Sequence, residues 1–365
     1  MSLKKIMLVF GTRPEAIKMC PLVNELKNRE NIYVSVCVTG QHRNMLDGVL
    51  KTFGVTPDYD LSVMRERQSL FDITSNILDR IRLPLYEFAP DTVIVHGDTS
   101  SAFAAALACF YMKIPVGHVE AGLRTYDIHS PYPEEFNRQA VGLISKYHFA
   151  PTEQAKLNLM REGKREESIY VTGNTVIDAM KTTVKEDYFH DELEWARDSR
   201  LVIVTAHRRE SIGDVMRGMF RAIRKVVEEE PEVKVIYPIH KNPQVRKIAA
   251  EELECCERIH IIEPLDVMDF HNFMSKSYMI LTDSGGIQEE AAFLGRPVLV
   301  MRDSTERPEG VVAGCLRLVG RDETGIYDNF KELLHNSEAY EKMSSSVSPY
   351  GDGFACRRIA NILDI

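Results

Sequence analysis

The stretch KIMLVFGTRPEAIKMCPLV, residues 5–23, contains the pattern that decides the fold. An apolar run ends at Gly11, and after a short turn apolar residues recur at helical spacing. This succession predicts a buried strand, a tight turn and a helix with proline at its first position. Nucleotide-binding folds usually carry a glycine-rich phosphate loop in such a turn. Here the turn carries one glycine and Arg13, which we interpret as a candidate ligand for an anion.

Length and composition are those of an ordinary globular protein. The 365 residues favour two domains over one. A net charge of -9 argues against general nucleic-acid binding, which needs a basic surface. The seven cysteines are scattered without Cys-x-x-Cys spacing, which predicts reduced thiols and a cytoplasmic location. The apolar runs are too short for a membrane span or a signal peptide, so no membrane partner is expected.

Short apolar runs alternate with helical patterns, which predicts parallel sheets covered by helices. The strands predicted in the first half are residues 32–38, 91–96, 114–119, 147–150 and 168–173, and the helices include 69–88 and 101–112. The second half begins with RLVIVTAHRRES at 200–211 and continues with strands at 233–240, 259–265, 278–283 and 297–302. The predicted fold class is α/β, with two Rossmann-like, doubly wound domains. We place the domains at residues 1–172 and 173–350, and a final helix at 351–365 that returns to the first domain.

Two carboxylates follow consecutive predicted strands of the first half. Asp98 follows the strand at 91–96, and Glu120 follows the strand at 114–119. A helix between them makes a βαβ unit, so both lie at the same edge of the sheet, roughly 5 Å apart if the strands are neighbours. Asp98 as a helix N-cap and Glu120 as a solvated loop charge remain alternatives. A third acidic cluster, PYPEEFNRQ, contains Glu134 and Arg138.

The segment LTDSGGIQEEAAFLGRP, residues 281–297, predicts a strand, a turn at Ser284, Gly285 and Gly286, and a helix. Backbone N–H groups at such a helix start attract phosphate. Glu289 or Glu290 in the first turns could accept hydrogen bonds from a ribose diol. A plain tight turn is the alternative. Neither Gly-x-Gly-x-x-Gly nor a Walker A loop occurs in the chain, so a nicotinamide cofactor is not expected.

A second basic turn, TAHRRES, places His207 and Arg208 after the first strand of the second half, and His240 ends the next strand. Ligands of open α/β sheets bind at the carboxyl ends of the strands, so both basic turns are candidates for one cleft between facing domains. No His or Cys spacing typical of zinc is present, and a metal site is not expected.

Taken in order, these motifs resemble the non-hydrolysing, bacterial-type UDP-N-acetylglucosamine 2-epimerases over nearly the whole chain. The motifs that carry the resemblance are FGTRPEAIKM, TGQHR, RERQSL, VHGDTSS, GHVEAGLRT, PYPEEFNRQ, TGNTVID, TAHRRES, PIHKNP, DSGGIQEEA and TERPEG. The resemblance implies the GT-B architecture and interconversion of UDP-N-acetylglucosamine and UDP-N-acetylmannosamine. It implies elimination of UDP to 2-acetamidoglucal and re-addition, without a cofactor. It further implies a homodimer that supplies N-acetylmannosamine for cell-surface polysaccharide.

The resemblance also implies a role for individual residues. The acid-base candidates are Asp98, Glu120 and Glu134, oriented by Arg138, and three carboxylates so close should raise one another's pKa values. The pyrophosphate and its departure are assigned to Arg13, Lys18 and His207. The remaining UDP ligands are Ser284, Gly285 and Gly286 for phosphate, Glu290 for the ribose and Phe270 near the uracil.

A second UDP-N-acetylglucosamine site, for allosteric activation, is implied as well. Its residues are Gln41, His42, Arg67, Gln68, Arg208 and His240. Three other functions remain open: a hydrolysing epimerase that releases free N-acetylmannosamine, a GT-B UDP-sugar glycosyltransferase, and a nucleotide-sugar binder without turnover.

Overall fold

The computed structural model of the protein describes residues 3–40, 43–63 and 68–364. The chain forms two compact units, the first comprising Met1–Thr182 with Tyr350–Ile365 and the second Thr183–Pro349. The division after Thr182 falls later in the chain than the boundary that the sequence places after residue 172. Each unit contains one parallel sheet with helices between its strands, which confirms the predicted fold class of two doubly wound α/β sheets.

The first sheet has the strand order β3-β2-β1-β4-β5-β6-β7, and every neighbouring pair is parallel. The strands are β1 Lys4–Phe10, β2 Ile32–Val38, β3 Tyr59–Asp60, β4 Thr92–His96, β5 Val116–Val119, β6 Tyr147–Ala150 and β7 Ile169–Val171. From β1 the sheet grows in one direction through β2 and β3 and in the other direction through β4 to β7. The gap between β1 and β4 is therefore the topological switch point, where open α/β sheets bind ligands. The turns that follow β1 and β4 carry Arg13 and Asp98.

Helices cover the first sheet on both faces, as a buried parallel sheet requires. They are α1 Arg13–Lys27, α2 Arg43–Thr52, α3 Leu70–Arg80, α4 Arg82–Phe88, α5 Ser100–Tyr111, α6 Glu134–Ile144, α7 Glu153–Arg161 and α8 Thr175–Thr183. Two details of the prediction were wrong. The helix predicted at 69–88 is two helices that meet at Ile81, because Pro84 cannot donate a hydrogen bond back to Arg80. Thr12 caps α1, so Arg13 is its first residue and Pro14 its second.

The second sheet repeats the arrangement with the order β10-β9-β8-β11-β12-β13, again parallel throughout. Its strands are β8 Arg200–Thr205, β9 Val233–Pro238, β10 Ile259–Ile262, β11 Met279–Thr282, β12 Val298–Val300 and β13 Leu316–Leu318. The helices are α9 Asp191–Trp195, α10 Asp214–Glu229, α11 Pro243–Leu253, α12 Val267–Lys276, α13 Gly285–Phe293, α14 Pro308–Ala313, α15 Glu323–His335 and α16 Ser337–Ser344. Here the switch point lies between β8 and β11, the strands that lead into AHRRE and DSGG.

A last helix, α17 Ala355–Leu363, belongs to the first unit and packs against α1. The Asp178 carboxylate on α8 accepts hydrogen bonds from the backbone N–H groups of Ala355 (3.1 Å) and Cys356 (2.9 Å). Asp178 therefore satisfies two of the N–H groups that the start of α17 leaves without a partner in the helix. The backbone N–H of Asn174 also donates to the carbonyl of Tyr350 at 2.8 Å.

Candidate active site

The turn after β1 is held by a buried carboxylate, that of Glu15. It accepts hydrogen bonds from the backbone N–H groups of Gly11 (3.0 Å) and Thr12 (2.7 Å), and from the Thr99 hydroxyl (2.7 Å). Burial raises the pKa of Glu15, and these hydrogen bonds oppose the rise. Arg13 is therefore presented, half-buried, at the first position of α1 by a turn with a fixed backbone.

Glu120 follows β5 at the same sheet edge, and it is not a solvated loop charge. Its side chain is only 10% exposed, and its Oε2 atom contacts the Nζ of Lys18. Asn174 Nδ2 donates to the same oxygen at 3.0 Å, and His96 Nε2 lies 3.7 Å from it. The structure thus places Lys18, which the resemblance assigns to the nucleotide, in direct contact with an acid-base candidate.

Asp98 follows β4, and Arg138 Nε donates to its Oδ2 at 2.7 Å. The N-cap of α5 is Thr99, so the alternative that Asp98 serves as this cap is wrong. The pKa of Asp98 is raised, first by burial, while Arg138 opposes the rise and the charges of Glu120 and Glu134 add to it. Asp98 therefore keeps its proton to a higher pH than an exposed aspartate.

Glu134 and Glu135 are the first two residues of α6, and their side chains have different environments. Glu135 is fully buried and accepts hydrogen bonds from the backbone N–H groups of Thr125 (3.0 Å) and Tyr126 (3.2 Å). Arg138 Nη1 donates to Glu135 as well, at 3.3 Å. Glu135 is thus committed to holding the preceding loop, whereas Glu134 is half-buried and close enough to Asp98 to act on its charge.

In the second unit, the basic turn after β8 is organised by Asp283, which follows β11. The buried Asp283 Oδ2 accepts hydrogen bonds from the backbone N–H groups of His207 (2.7 Å) and Arg208 (2.9 Å). Arg208 Nε also donates to the Asp283 carbonyl at 2.8 Å. The His207 ring stacks on His240, with ring centroids 5.3 Å apart and planes inclined by 16°. Burial, with His207 adding, lowers the pKa of His240.

The first residues of α13 are half-buried. Ser284 is the N-cap, and its side chain makes no capping hydrogen bond. A Cβ at Gly285 would lie 2.6 Å from Arg307 Nη1 and from Glu306 Oε1. One at Gly286 would meet no atom of the described residues within 4 Å, apart from its chain neighbours and the backbone of its own helix. Gly285 is therefore required by the protein's own packing, and Gly286 leaves open space in front of the helix.

The Arg307 side chain binds Glu289, the first of the two adjacent glutamates on α13. Its Nε donates to buried Glu289 at 2.7 Å, and its Nη1 to Glu306 at 2.9 Å. Burial works against ionisation of Glu306, but the guanidinium groups of Arg307 and Arg302 hold its pKa at about 2. With Glu289 engaged, Glu290 is the carboxylate left for a ligand, 3.7 Å from His271 Nε2. Phe270 is half-buried on α12, which packs against α13.

Three candidates for the allosteric site, Gln41, His42 and Arg67, lie outside the described residues. Gln68 is described, and its Nε2 donates to the Val63 carbonyl at 2.6 Å. Within residues 3–40, 43–63 and 68–364, no three His, Cys, Asp or Glu side chains are grouped so that they could hold a metal ion. Over the same ranges, no helix has the length and apolar character needed to cross a membrane.

Comparison with known proteins gives a consistent result. The family model described as UDP-N-acetylglucosamine 2-epimerase matches residues 24–364. A UDP-N-acetylglucosamine 2-epimerase of Bacillus subtilis (strain 168) is 56% identical over 359 residues, which cover 98% of this chain and 94% of the relative. The Neisseria meningitidis UDP-GlcNAc 2-epimerase bound to UDP-GlcNAc superposes with a TM-score of 0.92 at 46% identity, covering 98% and 99% of the two chains. The S. aureus MnaA structure with UDP gives a TM-score of 0.92 at 51% identity, covering 98% and 95%.

Proposed function

This chain belongs to the UDP-N-acetylglucosamine 2-epimerase family, and on that premise we propose that it interconverts UDP-N-acetylglucosamine and UDP-N-acetylmannosamine. The observation that carries the proposal is the group of carboxylates and cations at the switch point of the first sheet. Asp98 with Arg138, and Glu120 with Lys18, lie where two parallel strands end side by side. Epimerisation at C2 needs such acid-base groups and no net oxidation.

The reaction becomes accessible when UDP leaves. The C2 hydrogen is not adjacent to a carbonyl, so its direct removal is difficult. When the C1–O bond breaks, its electron pair leaves with UDP and positive charge develops at C1. The C2 proton then passes to a protein base, and the C2–H electron pair forms the C1=C2 bond of 2-acetamidoglucal. Protonation of C2 on the other face and re-addition of UDP complete the epimerisation, so no cofactor or metal is required.

We assign the acid-base steps to Asp98, Glu120 and Glu134, with Arg138 orienting Asp98. A base on one face of C2 and an acid on the other are both needed, and positioned groups of this kind contribute about 10²–10⁴-fold each. The raised pKa of Asp98 supports this assignment, because it favours a protonated carboxyl closer to neutral pH.

We assign UDP to the half-buried start of α13 in the second unit, with Glu290 at the ribose and Phe270 near the uracil. The helix start supplies backbone N–H donors and a favourable dipole for phosphate. Arg13 and His207 are assigned to the pyrophosphate as it leaves. Two relatives with more than 45% identity have been solved with UDP or UDP-GlcNAc bound, which supports a UDP-sugar as the ligand.

Gly286→Ala is expected to weaken UDP binding by about 10-fold or more, because the new methyl group occupies the space proposed for phosphate. The melting temperature should not fall, since beyond its own helix backbone a Cβ there meets no atom within 4 Å in the described part of the chain. The control is Gly218→Ala on α10, where a Cβ meets only ordinary contacts. Calorimetric titration with UDP and thermal melts measure both effects. Unchanged UDP affinity in Gly286→Ala would place the phosphate elsewhere.

The function itself is tested by following UDP-N-acetylglucosamine in deuterated water by NMR. The expected product is UDP-N-acetylmannosamine with deuterium at C2, because the proton passes through an exchangeable protein group. Free N-acetylmannosamine would identify the hydrolysing epimerase, and a transferred glycoside would identify a glycosyltransferase. Binding without turnover would leave a nucleotide-sugar binder. Product that retains the C2 hydrogen fully would exclude elimination with exchange.

We further propose a second, activating UDP-N-acetylglucosamine site that includes Gln68, Arg208 and His240. The stacking of His240 on His207 supports this, since it joins a residue of the proposed activator site to one of the catalytic site. A bound activator shifts the conformational equilibrium only to the extent that it binds the active conformation more tightly than the inactive one. The remaining candidates, Gln41, His42 and Arg67, are assigned by resemblance alone.

Initial rates should depend sigmoidally on UDP-N-acetylglucosamine, and the reverse reaction should start slowly until a trace of that sugar nucleotide is added. Gln68→Ala should lose this activation while UDP binding stays close to that of the wild type. Gln154→Ala is the control, since Gln154 bonds only to its helix neighbour Asn158 among the contacts of its side chain described here. Hyperbolic rates together with an immediate full reverse rate would show that the second site is absent.

We propose that the protein is a cytoplasmic homodimer. All seven cysteines are free thiols, which fits a reducing compartment. A groove of about 710 Å³ between α3, α4 and α5 is lined by Leu83, Tyr86 and Tyr111, each more than 60% exposed. Asp79 and Arg82 lie in the same groove, so a two-fold axis could pair Asp79 of each copy with Arg82 of the other.

Leu83→Asp is expected to convert the dimer to a monomer, because it buries an unpaired charge at the proposed interface. Sedimentation velocity at micromolar concentration measures the change. Val312→Asp is the control, since Val312 is 88% exposed on α14 of the second unit and lies outside the groove. If Leu83→Asp and the wild type sediment as the same dimer, the interface lies on another face.

A further inference from the structure

Three side chains converge on one oxygen of Glu120, and one of them differs from the other two. Lys18 Nζ and Asn174 Nδ2 are hydrogen-bond donors, which suit an ionised carboxylate. His96 Nε2 lies 3.7 Å from the same Oε2. That nitrogen is buried, and among the described residues it has no hydrogen-bond partner. A buried ring nitrogen without a partner is uncommon, and here it faces an acid-base candidate.

The backbone of Glu120 holds the carboxylate in this position. Its φ is +63°, in the left-handed region that a residue with a Cβ rarely adopts. Such a conformation costs about 1–3 kcal/mol and persists where the surroundings fix it. At this bend the side chain reaches β4 and α1, where His96 and Lys18 are, and stays largely out of solvent.

The His96 ring is neutral at ordinary pH. Burial, with Lys18 adding to it and Glu120 opposing it, lowers the pKa of His96 to about 4. A neutral imidazole carries its proton on one nitrogen and a lone pair on the other. A proton on Nε2 would be a buried donor that no described residue accepts at hydrogen-bond distance, so we assign the proton to Nδ1 and the lone pair to Nε2.

We propose that Glu120 exchanges partners as it gains and loses the C2 proton, with His96 Nε2 accepting a hydrogen bond from the protonated form. As a carboxylate, Glu120 is held by Lys18 and Asn174. After the C2 proton has moved to Glu120, the O–H at Oε2 turns to His96 Nε2, which moves from 3.7 Å to hydrogen-bond distance and remains neutral. The bonds that Lys18 and Asn174 donate to that oxygen lengthen at the same time. His96 is therefore a positioning residue that touches neither substrate nor reacting carbon. This inference rests on the proposed epimerase function.

Other charged and titratable groups face this cluster. Asp98, in the turn after β4, and Arg138, on α6, act on Glu120 through their charges. His118 on β5 feels the charge of His96 and is itself neutral, since burial lowers its pKa to about 3. These groups are the same in the wild type and in each variant below, so a difference between His96 variants reports on the Nε2 contact.

The pH dependence of kcat tests the proposal with a matched pair. Glutamine can place an acceptor where Nε2 lies, whereas asparagine reaches only the Nδ1 position. In His96→Asn, the limb of the profile that reports Glu120 should move to lower pH by about 0.5–1 unit, the value of one hydrogen bond to the protonated form. His96→Gln should keep the wild-type limb. Lys18→Met should move the same limb to higher pH by about 1–3 units and so identifies it.

Two results would overturn the proposal. One is a His96→Asn profile that matches the wild type; the other is a shift to higher pH, which would mean that His96 donates to the carboxylate. A measurement on the wild type does not depend on how the variants fold. With ¹⁵N-labelled histidine at neutral pH, Nε2 of His96 should have the chemical shift of an unprotonated nitrogen, and a protonated Nε2 would contradict the proposal. If the wild type shows no turnover, the proposed epimerase function is refuted. The protonation state of His96 measured by NMR does not depend on turnover and still tests the inference.

Discussion

Glu120→Gln is expected to lower kcat by about 10²–10⁴-fold, the usual contribution of a positioned acid or base. Asp98→Asn and Glu134→Gln should fall in the same range. Each amide keeps the size of the side chain but can neither take nor give the C2 proton. UDP affinity should change little, because none of these three carboxylates is assigned a contact with UDP. Turnover is measured by NMR of the product and UDP affinity by calorimetry.

Glu166→Gln provides the control for the loss of one negative charge. Glu166 pairs with Lys156 at 2.7 Å, and its side chain is 64% exposed. Surface pairs of this kind are worth about 0–1 kcal/mol, so activity should be close to that of the wild type. Near-normal turnover in all three test variants would remove the carboxylates from the mechanism.

Arg13→Ala is expected to reduce kcat/KM by about 10²–10³-fold, comparable to the loss of one donor to a developing oxyanion. It should weaken UDP binding too, because the pyrophosphate is held both in the ground state and as it leaves. The guanidinium stands at the first position of α1, where the helix dipole adds to its positive charge. Glu15 fixes the turn that carries it.

Arg13→Lys separates charge from geometry, since lysine keeps the charge but loses the two-pronged hydrogen-bonding group. It should recover only part of the lost activity. Arg29→Ala, near the other end of α1, is the control, because Arg29 pairs only with Glu25 at 2.6 Å among the described ion pairs. If Arg13→Ala binds UDP and turns over as the wild type does, the basic turn has another purpose.

The strands that could be predicted from the sequence are those with long apolar runs. The structure contains every strand expected in both halves, and the basic turns and carboxylates follow strand ends. The strands β3 and β13 were not expected. They have two and three residues and lie at sheet edges. So few residues do not show the repeat of apolar side chains that identifies a strand in the sequence.

Site residues were missed where their partners are distant in sequence. Asp283 appeared only as the end of a strand, yet it fixes His207 and Arg208 more than 70 positions away. Glu15 fits any first helical turn, and nothing local shows that it binds Thr99. Neither composition nor spacing distinguishes Glu134 from Glu135, because the difference lies in which of them faces the loop at Thr125.

The docking of α17 on α1 has a consequence for the order in which the protein is made. The ribosome synthesises the second unit, Thr183–Pro349, before it reaches Ala355. The second unit therefore has its whole sequence available before α17 exists, while α1, which is synthesised earlier than the second unit, lacks its packing partner until α17 has left the exit tunnel. The first unit is therefore begun before the second and completed after it, so the proposed acid-base residues belong to the unit whose chain is completed last.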